Sequence, residues 1–432
     1  MKNKLKILAL TAAAFATLGT TAHAQSADAL IDKLVDKGIL TTKEAQDLRD
    51  EADKNFATAF ASKTGMADWV TALKFNGDLR LRYDGIYGEN PAYVERHRFR
   101  YRLRFGFTVD LMNDFEVGLK LTSSEGSGGG DPISGNTTFT GNGSKKLIYI
   151  DLAYAKWSPI HTPDWAGSFT FGKMENPFVF PSTMMFDKDY TPEGIAAQLA
   201  YNINDVHTMR LNAGAFALYE ASGTSSDAYF GGAQLRWDAK WNATWSSTAG
   251  AAAFGLMSDR SLASANVPDG GRGNTRATIN GVANTLRYQY RPVYFDGGIT
   301  HTLESFPMYP GAFPISLSGD FVHNSGAPRD NEGYSIGMQF GKAGKKGTWQ
   351  LDYRWEALQA DAWYEEFVES DFGSISGTSY GSGTNIKGHW LKFSYSPYDS
   401  LTLGLSCFMT KAINNPVNSG ATRIMADAVW KF

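Results

Sequence analysis

The sequence predicts an all-β fold, a transmembrane antiparallel β-barrel of about sixteen strands with a short helical segment before it. Three observations predict it. Arg96 to Leu111 reads RHRFRYRLRFGFTVDL, with five arginines from Arg96 to Arg104 in one register and Phe99, Tyr101, Leu103, Phe105 and Phe107 in the other. A strand sends successive side chains to opposite faces, so one face is basic and the other apolar, whereas a helix would scatter the arginines round its axis. After the leader no apolar run approaches the roughly 18 residues of a membrane helix, which leaves a closed barrel as the way to span a bilayer. Short polar turns alternate with long polar loops along the chain, as in outer-membrane barrels.

The chain has 432 residues, with 45 glycines and 13% aromatics, a composition that suits a turn-rich sheet. Residues 1–24 read as a Sec signal peptide. Lys2, Lys4 and Lys6 form the basic region, Ile7 to Leu18 the apolar one, and Ala22-His23-Ala24 the cleavage site. The formal charge is −3 and becomes more acidic without the leader lysines, which argues against a nucleic-acid partner. Cys407 is the one cysteine, so an exported chain takes its stability from the sheet.

Residues 25–70 carry a helical period. Leu30, Ile31, Leu34 and Val35 make a short stripe that Gly38 stops, and Thr41 with Glu44 offers a capping box. This segment has too little apolar surface for its own core. It reads as a periplasmic coiled coil, a rest on the barrel mouth or an exported linker.

Residues 71–432 make the barrel. The first strand is expected near Leu73–Tyr83, the second at Arg96–Leu111, the third from Phe115 to Thr122 and the fourth near Leu147–Trp157, ending at a Ser158-Pro159 turn. The fifth is expected at Ser168–Lys173, the sixth at Gly194–Tyr201 and the seventh at Val206–Tyr219. The eighth, Tyr229–Trp237, turns at Ala239-Lys240 into the ninth, Ala243–Met257. Leu286 to Phe313 divides less clearly, so the count lies between roughly 14 and 18. The eleventh follows at Pro314–His323. The twelfth carries Tyr334, Ile336, Met338 and Phe340, and the thirteenth sets Trp349, Leu351, Tyr353 and Trp355 against Gln350, Asp352, Arg354 and Glu356. The fourteenth carries Leu391, Phe393 and Tyr395, and a Ser396-Pro397 turn leads to the fifteenth, Leu401–Met409. Long loops are expected at 84–95, 123–145, 258–283 and 361–385. Tyr83, Tyr101, Trp157, Trp237, Trp349, Tyr395 and Trp430 near strand ends suit interfacial girdles. The last strand, ATRIMADAVWKF, puts Ile424, Ala426, Ala428, Trp430 and Phe432 in one register. It resembles the closing strand of bacterial outer-membrane barrels, and that resemblance makes Trp430 and Phe432 a signal for the barrel-assembly machinery.

The leader, the DKLVDKGILTTKEAQDL segment, the NGDLRLRYDG strand and the GKMENPF…DKDYTPEGIA stretch from Gly172 to Ala196 together resemble the "putative porin" family of Gram-negative outer membranes, relatives of the general trimeric porins. The resemblance implies a homotrimer in outer-membrane lipid, a water-filled channel for small hydrophilic solutes, and no cofactor. It also implies that the loop after the fifth strand folds into the lumen, making Glu175 to Glu193 the constriction loop with Glu175, Asp187, Lys188, Asp189 and Glu193 on it. The phosphate-selective porins are near relatives, but Lys188 is the only lysine on that loop.

Arg80, Arg82, Arg96, Arg98, Arg100, Arg102 and Arg104 are expected to form one basic wall, since cross-strand neighbours lie about 5 Å apart. Facing lipid, each would cost roughly 2–4 kcal/mol at the midplane, so strand pairing turns them inward. An acidic loop across the lumen would then set up a transverse field and a mild anion preference. The alternative is that the arginines pair with Asp78, Asp110, Glu116 or the loop acids. The histidines show no metal-ligand spacing, and Gly126 to Asp131 lacks the Gly-Lys-Ser/Thr of a P-loop. Metal, nucleotide and enzyme readings are therefore disfavoured. Calcium at that loop, and a plugged structural barrel tethered through its N-terminal helices, are the remaining alternatives.

Overall fold

The computed structural model describes residues 66–126, 129–223, 225–268 and 270–432. The expected signal peptide, and the expected helical segment as far as residue 65, lie outside the described residues, and Val70 at the end of that segment already belongs to the first strand. The barrel strands are β1 (Val70–Gly88), β2 (Arg96–Leu111), β3 (Phe115–Ser123), β4 (Ile148–His161), β5 (Trp165–Lys173) and β6 (Glu193–Asn202). They continue as β7 (His207–Tyr219), β8 (Ala228–Lys240), β9 (Trp245–Met257), β10 (Pro292–Leu303) and β11 (Phe313–Asn324). The last are β12 (Glu332–Gly341), β13 (Trp349–Leu358), β14 (Ile386–Tyr398), β15 (Leu401–Ala412) and β16 (Ala421–Lys431). Neighbours in sequence pair antiparallel throughout. β16 pairs back onto β1, from Asp78↔Lys431 to Gly88↔Ala421, which closes the barrel and removes its edges. Phe432 completes the seam: its N–H donates to Gly77 O at 3.1 Å and its carbonyl accepts from Gly77 N at 2.8 Å.

The period-2 pattern sets the two faces. On β2, Phe99 is 61% exposed while Arg100 beside it is 7% exposed. Leu81, Phe105, Val117, Leu235, Phe295, Ile336, Leu391 and Leu405 form the outer apolar surface. Aromatic rings gather where the strands meet the short turns. Trp157 stacks on Phe115 at 5.8 Å, Trp165 on Tyr201 at 4.3 Å and Trp245 on His301 at 4.2 Å. Such rings, apolar in body and polar at one edge, are what an interfacial girdle needs.

Two proline positions differ from the sequence expectation. β4 runs through Ser158-Pro159, with a register shift between Trp157 and Ile160, and its turn is 162–164. β14 likewise runs through Ser396-Pro397, with a shift between Tyr395 and Tyr398. Proline lacks the ladder N–H, and a bulge tolerates that loss inside a strand. Ala239 and Lys240 remain paired in β8. The turn is 241–244, where Asn242 Oδ1 accepts from Thr244 N and Trp245 N. Leu286 to Phe313 resolves into one strand, β10, and the connection 304–312.

The short connections 112–114, 162–164, 203–206, 241–244 and 399–400 share one end of the barrel with 304–312 and 342–348. The long ones, 124–147, 174–192, 258–291 and 359–385, share the other. These long connections fold inward. Phe178, Met184, Met185 and Phe186 from 174–192 join Trp363 and Phe367 from 359–385 against Phe216, Phe230 and Phe254 on the inner faces of β7, β8 and β9. That aromatic core lies inside the barrel. It fills the lumen beside those strands, and each buried ring contributes about 1.5–3 kcal/mol to holding the loops there. The loop 359–385 is also locked to 258–291: Glu365 accepts from Asn274 N at 2.7 Å and from Arg276 Nε at 2.8 Å, and Asp361 accepts from Thr275 N at 2.9 Å. The loop 258–291 carries a small hairpin, Arg276–Ile279 with Val282–Leu286, and 359–385 carries another, Gly373–Ser376 with Ser379–Ser382.

Candidate functional site

β1, β2 and β16 present charge to the lumen. The inner positions are Asp78, Arg80, Arg82 and Asp84 on β1, Arg98, Arg100, Arg102 and Arg104 on β2, and Arg423 and Asp427 on β16. The wall is a lattice of ion pairs. Arg82 donates to Asp427 at 2.7 Å and to Asp371 at 2.9 Å. Arg98 and Arg423 both donate to Asp84, each with a contact at 2.8 Å. Arg100 reaches Glu125 at 3.2 Å. Arg102 holds Asp78 at 3.0 Å and Asp189 at 2.7 Å, and Arg104 holds Asp78 at 2.7 Å.

Two arginines behave otherwise. Arg80 donates to Asn136 Oδ1 at 2.6 Å and forms no ion pair among the described residues. Arg96 is exposed at the long-loop rim and does not join the buried part of the wall, because the strand begins at that residue. Of the carboxylates expected to pair with the wall, Asp78 and the loop acid Asp189 do. Asp110 instead takes Lys74 at 2.5 Å, and Glu116 accepts from Tyr154 Oη at 2.7 Å.

The loop after β5 crosses the lumen. It leaves at Gly172, whose φ of 117° suits glycine and where a Cβ would lie 2.3 Å from Ala153 O. Val179 N donates to Gln234 Oε1 on β8 at 2.9 Å, and Arg354 on β13 donates to Pro181 O at 3.0 Å. Trp363 Nε1 donates to Met185 O at 2.7 Å, and Asp187 N donates to Phe367 O at 2.7 Å. Asp189 then meets Arg102 and Arg104 on β2, the opposite side of the barrel. The expected gap between an acidic loop and the basic wall is therefore closed at this point by direct contact.

The other loop residues separate. Asp187 is buried and accepts the N–H groups of Asp189 and Ser370, both at 2.8 Å. Burial, then the charges of Glu369 and Asp189, push its carboxyl well above the usual range. Burial also opposes ionisation of Asp189, but Arg102, Arg80 and Arg104 outweigh it and hold that carboxyl low. Asp371 is held low in the same way, by Arg82, Arg423 and Arg80 against burial. Lys188 is exposed. Glu175 takes Lys120 at 2.7 Å and Glu193 takes Lys173 at 3.1 Å.

The open space is divided. A cavity of about 60 Å³ lies between Arg104, Asp151, Lys173, Asp189 and Thr191. Toward the long loops it adjoins a pocket of about 230 Å³, with Pro132, Lys173 and Thr191 lining both. At the short-turn end Arg210, Asp238, Ser246, Thr248, Thr300 and Ser316 help line a polar vestibule of about 740 Å³. Asp84, Asp371 and Asp151 face the lumen or its loops but are not among the positions the sequence singles out. Asp84 sits in the polar register of β1, where the alternation continues past Tyr83. Asp371 lies in a loop, where nothing local marks it.

Residues 89–261 match the family model described as "Putative porin". No curated protein sequence matches the chain. Among solved structures, the barrel is similar to the high-pH structure of OprB from Pseudomonas putida, with TM-score 0.54 and 13% identity over 87% of this chain and 96% of that one. It also matches a mutant of the Rhodopseudomonas blastica porin, with TM-score 0.43 and 9% identity over 84% of this chain and 100% of that one. The chain is thus a closed sixteen-strand barrel of the kind seen in bacterial porins, and its residues 89–261 match the putative porin family.

Proposed function

We propose that the protein is an outer-membrane porin of a Gram-negative bacterium, a channel for passive diffusion of small hydrophilic solutes. The observation that carries this reading is the closed ladder from β1 to β16 with apolar side chains outward and charge inward, an arrangement that suits lipid outside and water inside. Export by the leader, insertion through the closing strand with Trp430 and Phe432, and assembly as a homotrimer belong to the same proposal.

The arginine wall supports an anion preference less than its sequence suggests. Arg82, Arg98, Arg100, Arg102, Arg104 and Arg423 are matched by carboxylates. A charge paired at 3 Å projects little field to a passing ion. Dedicated phosphate selection is disfavoured for the same reason, with Lys188 as the one exposed cation of the loop tip.

The inward aromatic core favours a second reading, a plugged structural barrel. Swelling of proteoliposomes in isotonic solutes of rising size separates the two. A porin admits the smaller solutes and excludes the larger with a sharp cut-off. Vesicles that never swell, carrying folded protein, would support the plug.

A further inference from the structure

We propose that the charge preference of the pore is set by Asp151 on β4, and that the preference is for cations. This rests on the pore reading above. The register of β3 with β4 pairs Leu121 with Ile150 and Lys120 with Leu152, which leaves Asp151 as the extra residue of a bulge. A bulge re-aims a side chain out of the regular alternation. Asp151 and Leu152 are both buried inside while Ile150 and Ala153 face outward. The bulge thus turns a carboxylate into the 60 Å³ cavity, where it is 8% exposed.

The loop crossing makes that cavity a bottleneck. β7, β8 and β9 are covered by the aromatic core, and Asp189 ties the loop tip to β2. Beside β2 to β5, one space runs from the mouth pocket past Lys173 and Thr191, which line both, into the cavity. Its volume matches about two waters at liquid density, so a passing ion comes within a few ångströms of the carboxylate.

Most of the other charges along this route are paired locally, while Asp131 lines the same cavity and Glu366 the mouth pocket, both adding to its acidic character. Arg104 is shared by Asp78 and Asp189, Lys120 pairs with Glu175, and Lys173 pairs with Glu193. Asp151 forms no ion pair among the described residues. A net negative charge at the narrowest lined point raises the local concentration of cations and repels anions.

The test is the reversal potential of purified protein in planar bilayers under a low-salt potassium chloride gradient, where screening is weak. Wild type should reverse on the cation side. Asp151→Asn should lower the potassium-to-chloride permeability ratio about 30-fold, since one unit charge a few ångströms away in a water-like medium favours the cation about five-fold and disfavours the anion by as much. Asp151→Glu should keep the wild-type sign. Heat-modifiable gel migration establishes that each variant is folded. An anion-side reversal for wild type, or an unchanged ratio in Asp151→Asn with a large change in Arg80→Gln, would overturn the proposal while leaving the pore intact. Absence of wild-type conductance would overturn the pore reading, and this proposal with it.

Discussion

At the scale of single residues, the basic wall is built from matched partners, and its members differ in what they contribute. Asp84 is fully buried and accepts from both Arg98 and Arg423. Asp84→Ala strands Arg98 and leaves Arg423 with Asp371 alone, and a broken buried pair costs about 3–5 kcal/mol. Urea unfolding followed by gel mobility should show that loss, whereas Asp110→Ala, which breaks the exposed pair with Lys74, should cost less than about 1 kcal/mol. The loop carboxylates titrate with opposite sign. Asp189 sits below the usual range, so its contribution is complete above that range and is lost as pH falls through the depressed value. Asp187 sits above, so acidification protonates it first and favours the folded loop. At high salt, where the field of Asp151 is screened, mean conductance should therefore hold steady from neutral pH down to about pH 4 and change only below it, as the tie to Arg102 and Arg104 breaks. Conductance recorded across that range checks the order; a change centred above pH 6 would contradict it. The inward turn of the arginines was legible in the sequence, because alternation alone decides it. Their partners were not, since Arg82 and Asp371 are 289 residues apart and no local pattern links them.

At the scale of elements, the strands and the positions of the long loops were legible and the packing of the loops was not. β2 runs from Arg96 to Leu111, the span its alternation predicts, because a strand with unlike faces has one register that keeps arginine out of lipid. β4 hides its bulge. The run Ile148, Ile150, Leu152 looks like continuous alternation, and the slip at Asp151 is visible only once β3 is paired with it. The crossing loop was placed by resemblance, but its aromatic anchoring was not foreseen. Phe178, Phe180 and Phe186 follow no period that marks them as packed against β7 to β9. Phe186 lies 5.2 Å from Phe367 and 5.7 Å from Phe230 and Trp363 between ring centres. Phe186→Ala should destabilise the loop by about 3–5 kcal/mol, since truncation leaves a cavity in a packed core. Its signature should be a larger, noisier single-channel current with the barrel still heat-modifiable. A quiet current of wild-type size would mean that the loop is held by its polar ties alone.

At the scale of the whole molecule, the chain forms a barrel closed between its first and last strands, with its core moved into the lumen. Closure was legible from the even rhythm of turns and from the alternating last strand. Phe432 is exposed on the outer face yet bonded through its backbone to Gly77, so it finishes the seam without being buried. Deleting Phe432 should reduce the amount of folded barrel in outer-membrane fractions, measured by heat-modifiable migration, while leaving the conductance of the molecules that do fold unchanged. The central claim is that a water path survives beside the aromatic core and the ion-paired wall. Single-channel conductance of purified, heat-modifiable wild-type protein in a planar bilayer tests it most directly. Discrete, ohmic steps that recur in groups of three are predicted for a trimer of open barrels. Folded protein that inserts and passes no current would contradict the account and leave a sealed barrel.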